Sequence, residues 1–309
     1  MGYAVVLGEA LVDLLDAEHD GEPVYRQAIG GGPLNVAVAI ARLGGDARFV
    51  GSLGDDALAG RIRAFLTGAG VDVGGTVTVP APTALAVATF AGAEPDFRFY
   101  GEPRSYALLG PDDLDVALVE GADVLYCGSI VLLDPPVLAA ARRAWSIAGA
   151  LRVFDPNVRP RLLTAPNALD GLRAVVAEFA AAAHLVKLSS ADARLLYPDE
   201  PVEGVAAYLR ELGASTVVVT LGADGALVAA DDVVRVPAPK VDAVDATGAG
   251  DSVMGALVAD LLAAGEPADP AGWRERVAFA LRVAAVVCES PGGATAMPTR
   301  TEVATRFAG

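Results

Sequence analysis

Residues 245–251 read Asp-Ala-Thr-Gly-Ala-Gly-Asp and lead directly into a small-residue, apolar stretch from Ser252 to Ala264 with helical character. Glycines at 248 and 250 permit backbone angles that expose consecutive N–H groups, and the unpaired N–H groups of a helix's first turn add a partial positive charge. The segment is expected to bind an anion through Gly248, Ala249 and Gly250. Asp251 lies in the same field, placed to accept a proton from a hydroxyl aimed at that anion. A phosphoryl transferase needs this arrangement. A helix cap made by Thr247 or Asp251 is the other reading of the same residues.

A second glycine cluster, Gly30-Gly31-Gly32-Pro33-Leu34-Asn35, precedes the helical run Val36 to Leu43, with Pro33 suited to a first turn and Asn35 free to present an amide. It suits a polyol better than a dinucleotide, because it lacks GxGxxG spacing; GxxxxGK[ST] occurs nowhere in the chain. A purely structural helix start remains the alternative.

These segments must be held by a scaffold. Short apolar runs at Val5–Leu7, Phe49–Val50, Val124–Tyr126, Leu151–Phe154, His184–Leu188 and Thr216–Thr220 read as strands, and they alternate with helical stretches at 33–43, 57–69, 136–148, 169–182 and 202–212. That alternation predicts an α/β fold with a mostly parallel sheet covered on both faces and ligands at the strand C-terminal ends. Val24–Ala28 and the pair 84–90 and 97–100, joined by a polar turn at 91–96, fall outside the series. They read as a small separate sheet, a lid over the site. Pro-rich spots look like loops, so one domain over residues 1–309 is expected.

Composition narrows the class. With 23 Lys and Arg against 39 Asp and Glu, the net charge of −16 disfavours nucleic acid and anionic membranes as partners, so an anionic substrate needs a local positive site. Two cysteines and two histidines are too few for a disulfide framework or a zinc cluster. No apolar run suggests a membrane span and no basic leader is evident, so a cytoplasmic protein is expected.

The glycine-cluster helix from Gly30 to Gly44, followed in order by the segment from Asp245 to Leu257, resembles the paired signatures of the ribokinase-like sugar kinases, the phosphofructokinase B family. The resemblance covers essentially the whole chain and implies a three-layer α/β/α fold with a small β-sheet lid. It also implies an ATP- and Mg2+-dependent kinase, with K+ as a further cofactor. Segment 8–13 resembles the first strand of fructokinases, whose terminal Asp, here Asp13, binds sugar hydroxyls; segment 155–159 resembles their DPNxR motif, which puts Arg159 on the substrate. Gly31, Gly32, Asn35 and Tyr100 complete the implied sugar site, with Arg161 competing for the role of Arg159.

On the nucleotide side the resemblance implies Lys187, Ser189, Thr220, Gly222, Gly225 and Gly292, with Asp192 holding Mg2+ through water and Asp245 beside a monovalent cation. Ser189 and Asp192 stand where the family commonly has Asn and Glu, and Ser290 and Gly293 also depart from its usual residues. Fructose is the first expected substrate. 2-Keto-3-deoxygluconate is the enzymatic alternative, with Arg104 or Arg161 as an added cationic contact. A catalytically silent sugar-binding regulator is the alternative of another class. A homodimer formed through the lid is the expected assembly.

Overall fold

The computed structural model describes residues 2–91 and 94–308. The chain opens with β1 (Tyr3–Leu7), β2 (Leu11–His19), β3 (Glu22–Gly30), α1 (Gly32–Arg42), β4 (Asp46–Leu53), α2 (Ala57–Gly68) and β5 (Thr76–Thr78). β6 (Leu85–Ala91), β7 (Glu94–Tyr100), α3 (Val116–Glu120), β8 (Val124–Gly128), α4 (Pro135–Ile147), β9 (Leu151–Asp155), α5 (Ala168–Ala180) and β10 (Leu185–Ser189) follow. The order closes with α6 (Ser190–Leu196), α7 (Val202–Leu212), β11 (Thr216–Thr220), β12 (Ala226–Ala229), β13 (Val233–Val236), α8 (Ala249–Ala264), α9 (Pro270–Cys288) and α10 (Arg300–Arg306).

Nine strands form one sheet in the order β13-β12-β11-β10-β9-β8-β1-β4-β5. Every pairing from β11 to β5 is parallel; β12 and β13 add an antiparallel edge, turning at the Asp231-Asp232 pair. Side chains alternate across the sheet, and both sides are apolar. From β1, Ala4 and Val6 join a core with Val36, Ile62, Leu257 and Val283 of α1, α2, α8 and α9. Val5 and Leu7 face the opposite core, with Ala140, Val176 and Leu209 of α4, α5 and α7. Burying each Val or Leu contributes roughly 1.5–3 kcal/mol, which explains strands that read as unbroken apolar runs. The result is the expected three-layer α/β/α arrangement.

β3-β2-β6-β7 form a separate four-stranded sheet, with β2 and β6 parallel and the outer pairs antiparallel. This is the expected lid sheet, with different bounds. β2 begins at Leu11, so Asp13 is not at the end of the first strand, as expected from segment 8–13; it sits on a lid strand, opposite Ala28 and Ala86. Leu11 and Val12 are buried and carry the strand start inward. β7 likewise begins at Glu94, inside the anticipated turn, whose residues Gly92 and Ala93 lie outside the described residues. Asp56 ties the lid's base to the main layers. It caps α2 by accepting from the Ala59 N–H, and it also accepts from the Thr83 N–H at 2.8 Å and the Thr83 hydroxyl at 2.6 Å. Among the described residues no helix is long and apolar enough to cross a membrane.

Candidate active site

A cavity of about 700 Å3 lies where the C-terminal ends of the central strands meet the lid and the first turns of α1 and α8. α8 begins at Ala249 because Gly248, at φ 77°, turns the chain into the helix. A side chain at Gly248 would also put a Cβ 2.9 Å from the Cα of Gly293, so the two glycine loops interlock. Gly250 differs from the sequence expectation: it is already helical and needs no positive φ. Its requirement is space, since a Cβ there would lie 3.1 Å from the Lys187 ammonium nitrogen. Ala249 is a second correction. Its N–H donates to the Ala246 carbonyl at 3.2 Å and it does not line the cavity, whereas Gly248 and Gly250 do.

Asp251 comes from the first turn of α8 and is only 7% exposed. Two amides hold it. Asn35 Nδ2 on α1 donates to Oδ2 at 2.7 Å, and Asn157 Nδ2, after β9, donates to Oδ1 at 3.2 Å. The expected substrate contact of Asn35 is thus partly spent on Asp251, leaving the Asn35 Oδ1 buried without a partner among the described residues. Asn157 (φ 38°), bonded to this carboxylate, and Ser129 (φ 71°), bonded to Glu9, adopt left-handed backbone, a conformation held only where surrounding contacts impose it.

Lys187, in β10, donates to Asp155 Oδ2 at 2.6 Å, and both side chains are almost fully buried. Burial pulls the lysine pKa down, but the carboxylates of Asp155, Asp251 and Asp192 outweigh it and leave it raised. A lasting positive charge therefore faces the Gly250 turn, as an anion site in a strongly acidic protein requires.

Glu9, Asp13 and Arg159 line the same cavity. Burial pushes Glu9 up to about 7 against hydrogen bonds from Ser129 and Gly32, and pushes Asp13 up to about 7 against the charge of Arg159. Below that pH the folded protein holds protons that the unfolded chain releases near its ordinary carboxyl values. Stability of the ligand-free protein is therefore expected to fall as pH rises from about 4.5 to 7 and to level off above. Glu9→Gln should remove about 2–3 kcal/mol of that loss, converted from the shift. Thermal melts of both proteins at pH 5 and 8 check this; equal losses would contradict the assignment.

Other expected residues take up different positions. Gly31, at φ 119°, ends the lid at the mouth of α1, and a Cβ there would meet the Glu9 carbonyl at 2.6 Å; it lines the cavity with Gly32. Tyr100 is half exposed and lines a neighbouring cavity, and Phe99 takes the inward place, as the two-residue strand period requires. Asp192 lines the cavity, but its carboxylate accepts from the Val158 N–H at 2.9 Å and from the Ser189 N–H and hydroxyl at 2.8 and 2.7 Å. Together with Ser189 it caps α6, so most of its acceptor capacity is spent.

Thr220 pairs with Ser189 at the adjoining strand end, but Gly222 and Gly225 shape the turn between β11 and β12, and none of the three lines the cavity. Asp245 accepts from the Thr247 N–H at 2.9 Å and the Gly292 N–H at 3.2 Å, fastening the two glycine loops together. These bonds hold its carboxyl pKa below the usual range despite partial burial.

The sequence reading missed Glu9, Ser129, Asn157 and Asp155. Glu9, Asn157 and Asp155 lie inside segments already singled out, but their partners are 23 to 120 residues away and no local pattern announces them.

Known proteins resemble this chain in sequence and fold. A family model described as pfkB family carbohydrate kinase matches residues 1–300. The chain belongs to the pfkB family of carbohydrate kinases. It is an ATP-dependent sugar kinase with a ribokinase-like fold. Fructokinase-1 of Oryza sativa subsp. japonica is 36% identical, over 97% of this chain and 95% of its own. The crystal structure of a Xylella fastidiosa fructokinase with bound ATP superposes with a TM-score of 0.90 at 29% identity, covering 99% of this chain and 98% of its own. A Vibrio cholerae O395 fructokinase, solved with fructose, ADP and calcium ion, gives a TM-score of 0.89 at 29% identity, covering 99% of this chain and 98% of its own. Its double mutant, with fructose, ADP and potassium ion, gives the same values. In pfkB terms the cavity brings both paired signatures, around Asn35 and Asp251, into direct contact.

Proposed function

We propose that this kinase is a fructokinase, one domain over residues 1–309 acting in the cytoplasm, with Asp251 as its general base. The observation that carries the proposal is the position of Asp251. It lies in the wall of one cavity that is also lined by Asp13, Asn35, Gly248, Gly250 and Lys187, and it accepts a hydrogen bond from Asn35. Asp13, Asn35, the Gly31-Gly32 backbone and Arg159 hold the sugar. Asp251 takes the proton of the hydroxyl as its oxygen bonds to the γ-phosphorus of ATP, and the bond to the ADP oxygen breaks. The N–H groups of Gly248 and Gly250, the α8 dipole and Lys187 offset the charge on the transferring group.

Ser189, Thr220, Gly222, Gly225 and Gly292 border the nucleotide side. Mg2+, when bound, neutralises the phosphates, and the acceptor capacity left on Asp192 suits contact through water. K+ would sit beside the loops that Asp245 joins. Asp13 and Phe99 lie on the lid sheet, so closure would carry them over the sugar and exclude water. Val24, Tyr25 and Tyr100 are exposed on the same sheet and suit a homodimer through the lid.

One observation favours a sugar acid as the second reading. Arg98, Arg104 and Arg161 line the neighbouring cavity of about 360 Å3, which shares Phe99 and Arg161 with the main one. Steady-state kinetics on fructose and 2-keto-3-deoxygluconate separate the readings. For fructose, Asp13→Ala is expected to raise KM severely and Arg159→Gln modestly. The reverse order, with higher kcat/KM for the acid, would replace fructose by the acid, whose carboxylate rewards an arginine with charge-assisted hydrogen bonds.

A further inference from the structure

Glu9 follows β1 and is 2% exposed, yet it lines the cavity with half of its carboxyl group unused. Oε1 accepts two hydrogen bonds, from the Gly32 N–H at 3.0 Å and from the Ser129 hydroxyl at 2.7 Å. Oε2 is buried and has no partner among the described residues. A carboxyl oxygen kept in the interior for structure alone is normally satisfied by the protein, because leaving it unpaired is costly. Asn35 shows the same pattern, with Nδ2 spent on Asp251 and Oδ1 unpartnered among the described residues. Two unsatisfied acceptors in the lining of one polar cavity match a ligand that brings several hydroxyl groups.

The backbone beside Glu9 is kept bare. A Cβ on Gly32 would lie 2.6 Å from Asn157 Nδ2 and 3.2 Å from Ser129 Oγ, so this turn admits no side chain between Asn157, which holds Asp251, and Ser129, which holds Glu9. We infer that Glu9 is a substrate-binding residue whose Oε2 pairs with a non-reacting hydroxyl of the acceptor sugar, while Oε1 fixes the Gly31-Gly32 turn and Ser129. The inference rests on the sugar-kinase reading and adds a specificity contact to it. Burial, which pushes this carboxyl up to about 7, lets it donate as well as accept near neutral pH.

The test pairs variants with deoxy sugars. The best acceptor in a hexose and pentose panel, expected to be D-fructose, is compared with analogues that each lack one non-reacting hydroxyl. In the wild type, one analogue is expected to lose roughly 10- to 100-fold in kcat/KM, the worth of one buried hydrogen bond. In Glu9→Ala that loss should shrink to a few-fold, with KM for ATP unchanged. Glu9→Asp keeps a carboxyl but withdraws it, and should shrink the same loss if the alanine variant does not fold. A uniform fall across all analogues, or unaltered discrimination in a folded variant, would mean that Glu9 only props the turn and would overturn the inference. Absence of phosphorylation of every sugar would instead overturn the proposed function, and this contact with it.

Discussion

Asp251→Asn is expected to lower kcat by about 10²–10⁴, the usual worth of a general base, while sugar binding stays within a few-fold of wild type. The loss falls on kcat because the cavity, the Gly248–Gly250 turn and Lys187 are left intact. The two amides that hold Asp251 add a second consequence. An Asn side chain at 251 offers one acceptor where two donors now converge, so one of Asn35 and Asn157 must turn away. A stability cost of about 1 kcal/mol should accompany the kinetic one. Steady-state kinetics with a thermal melt check both parts, and near-wild-type turnover would remove Asp251 from the role of base.

Lys187→Met carries the second large effect. The substitution leaves the Asp155 carboxylate buried and unpaired, and breaking such a pair from one side costs about 3–5 kcal/mol. It also takes the positive charge away from the Gly250 turn, so kcat/KM for ATP is expected to fall by roughly 10²–10³. Lys187→Met with Asp155→Asn separates the effects: the double variant should regain most of the stability and none of the activity. Recovery of both would mean that Lys187 only neutralises Asp155.

The parallel core was legible because its strands are apolar on both faces: Val124–Gly128 and Thr216–Thr220 announce themselves as short runs between helical stretches. β2 was not, since Leu11–His19 mixes leucines with acids and has no clean alternation, and its lid pairing with β3 and β6 is a tertiary fact. Asp13 was therefore identified but put on the wrong element. The two glycine motifs were readable as helix starts, whereas the hydrogen bond between Asn35 and Asp251 spans 216 residues of chain and leaves no local trace. Gly250 was singled out for conformational freedom, when what it provides is room for a lysine from another strand. Glu9 and Asn157 escaped for the same reason as the Asn35 contact: what makes them part of the site is a neighbour remote in sequence.

Transfer of the γ-phosphate of ATP to a hydroxyl of fructose is the central claim, and product analysis tests it most directly. The protein is incubated with ATP, Mg2+ and D-fructose, and phosphorus NMR follows the γ-phosphate. One phosphate monoester of the sugar is expected for each ADP formed, with the ester signal absent when sugar is omitted. ADP released with free inorganic phosphate and no sugar ester, or no turnover of ATP at all, would contradict the account.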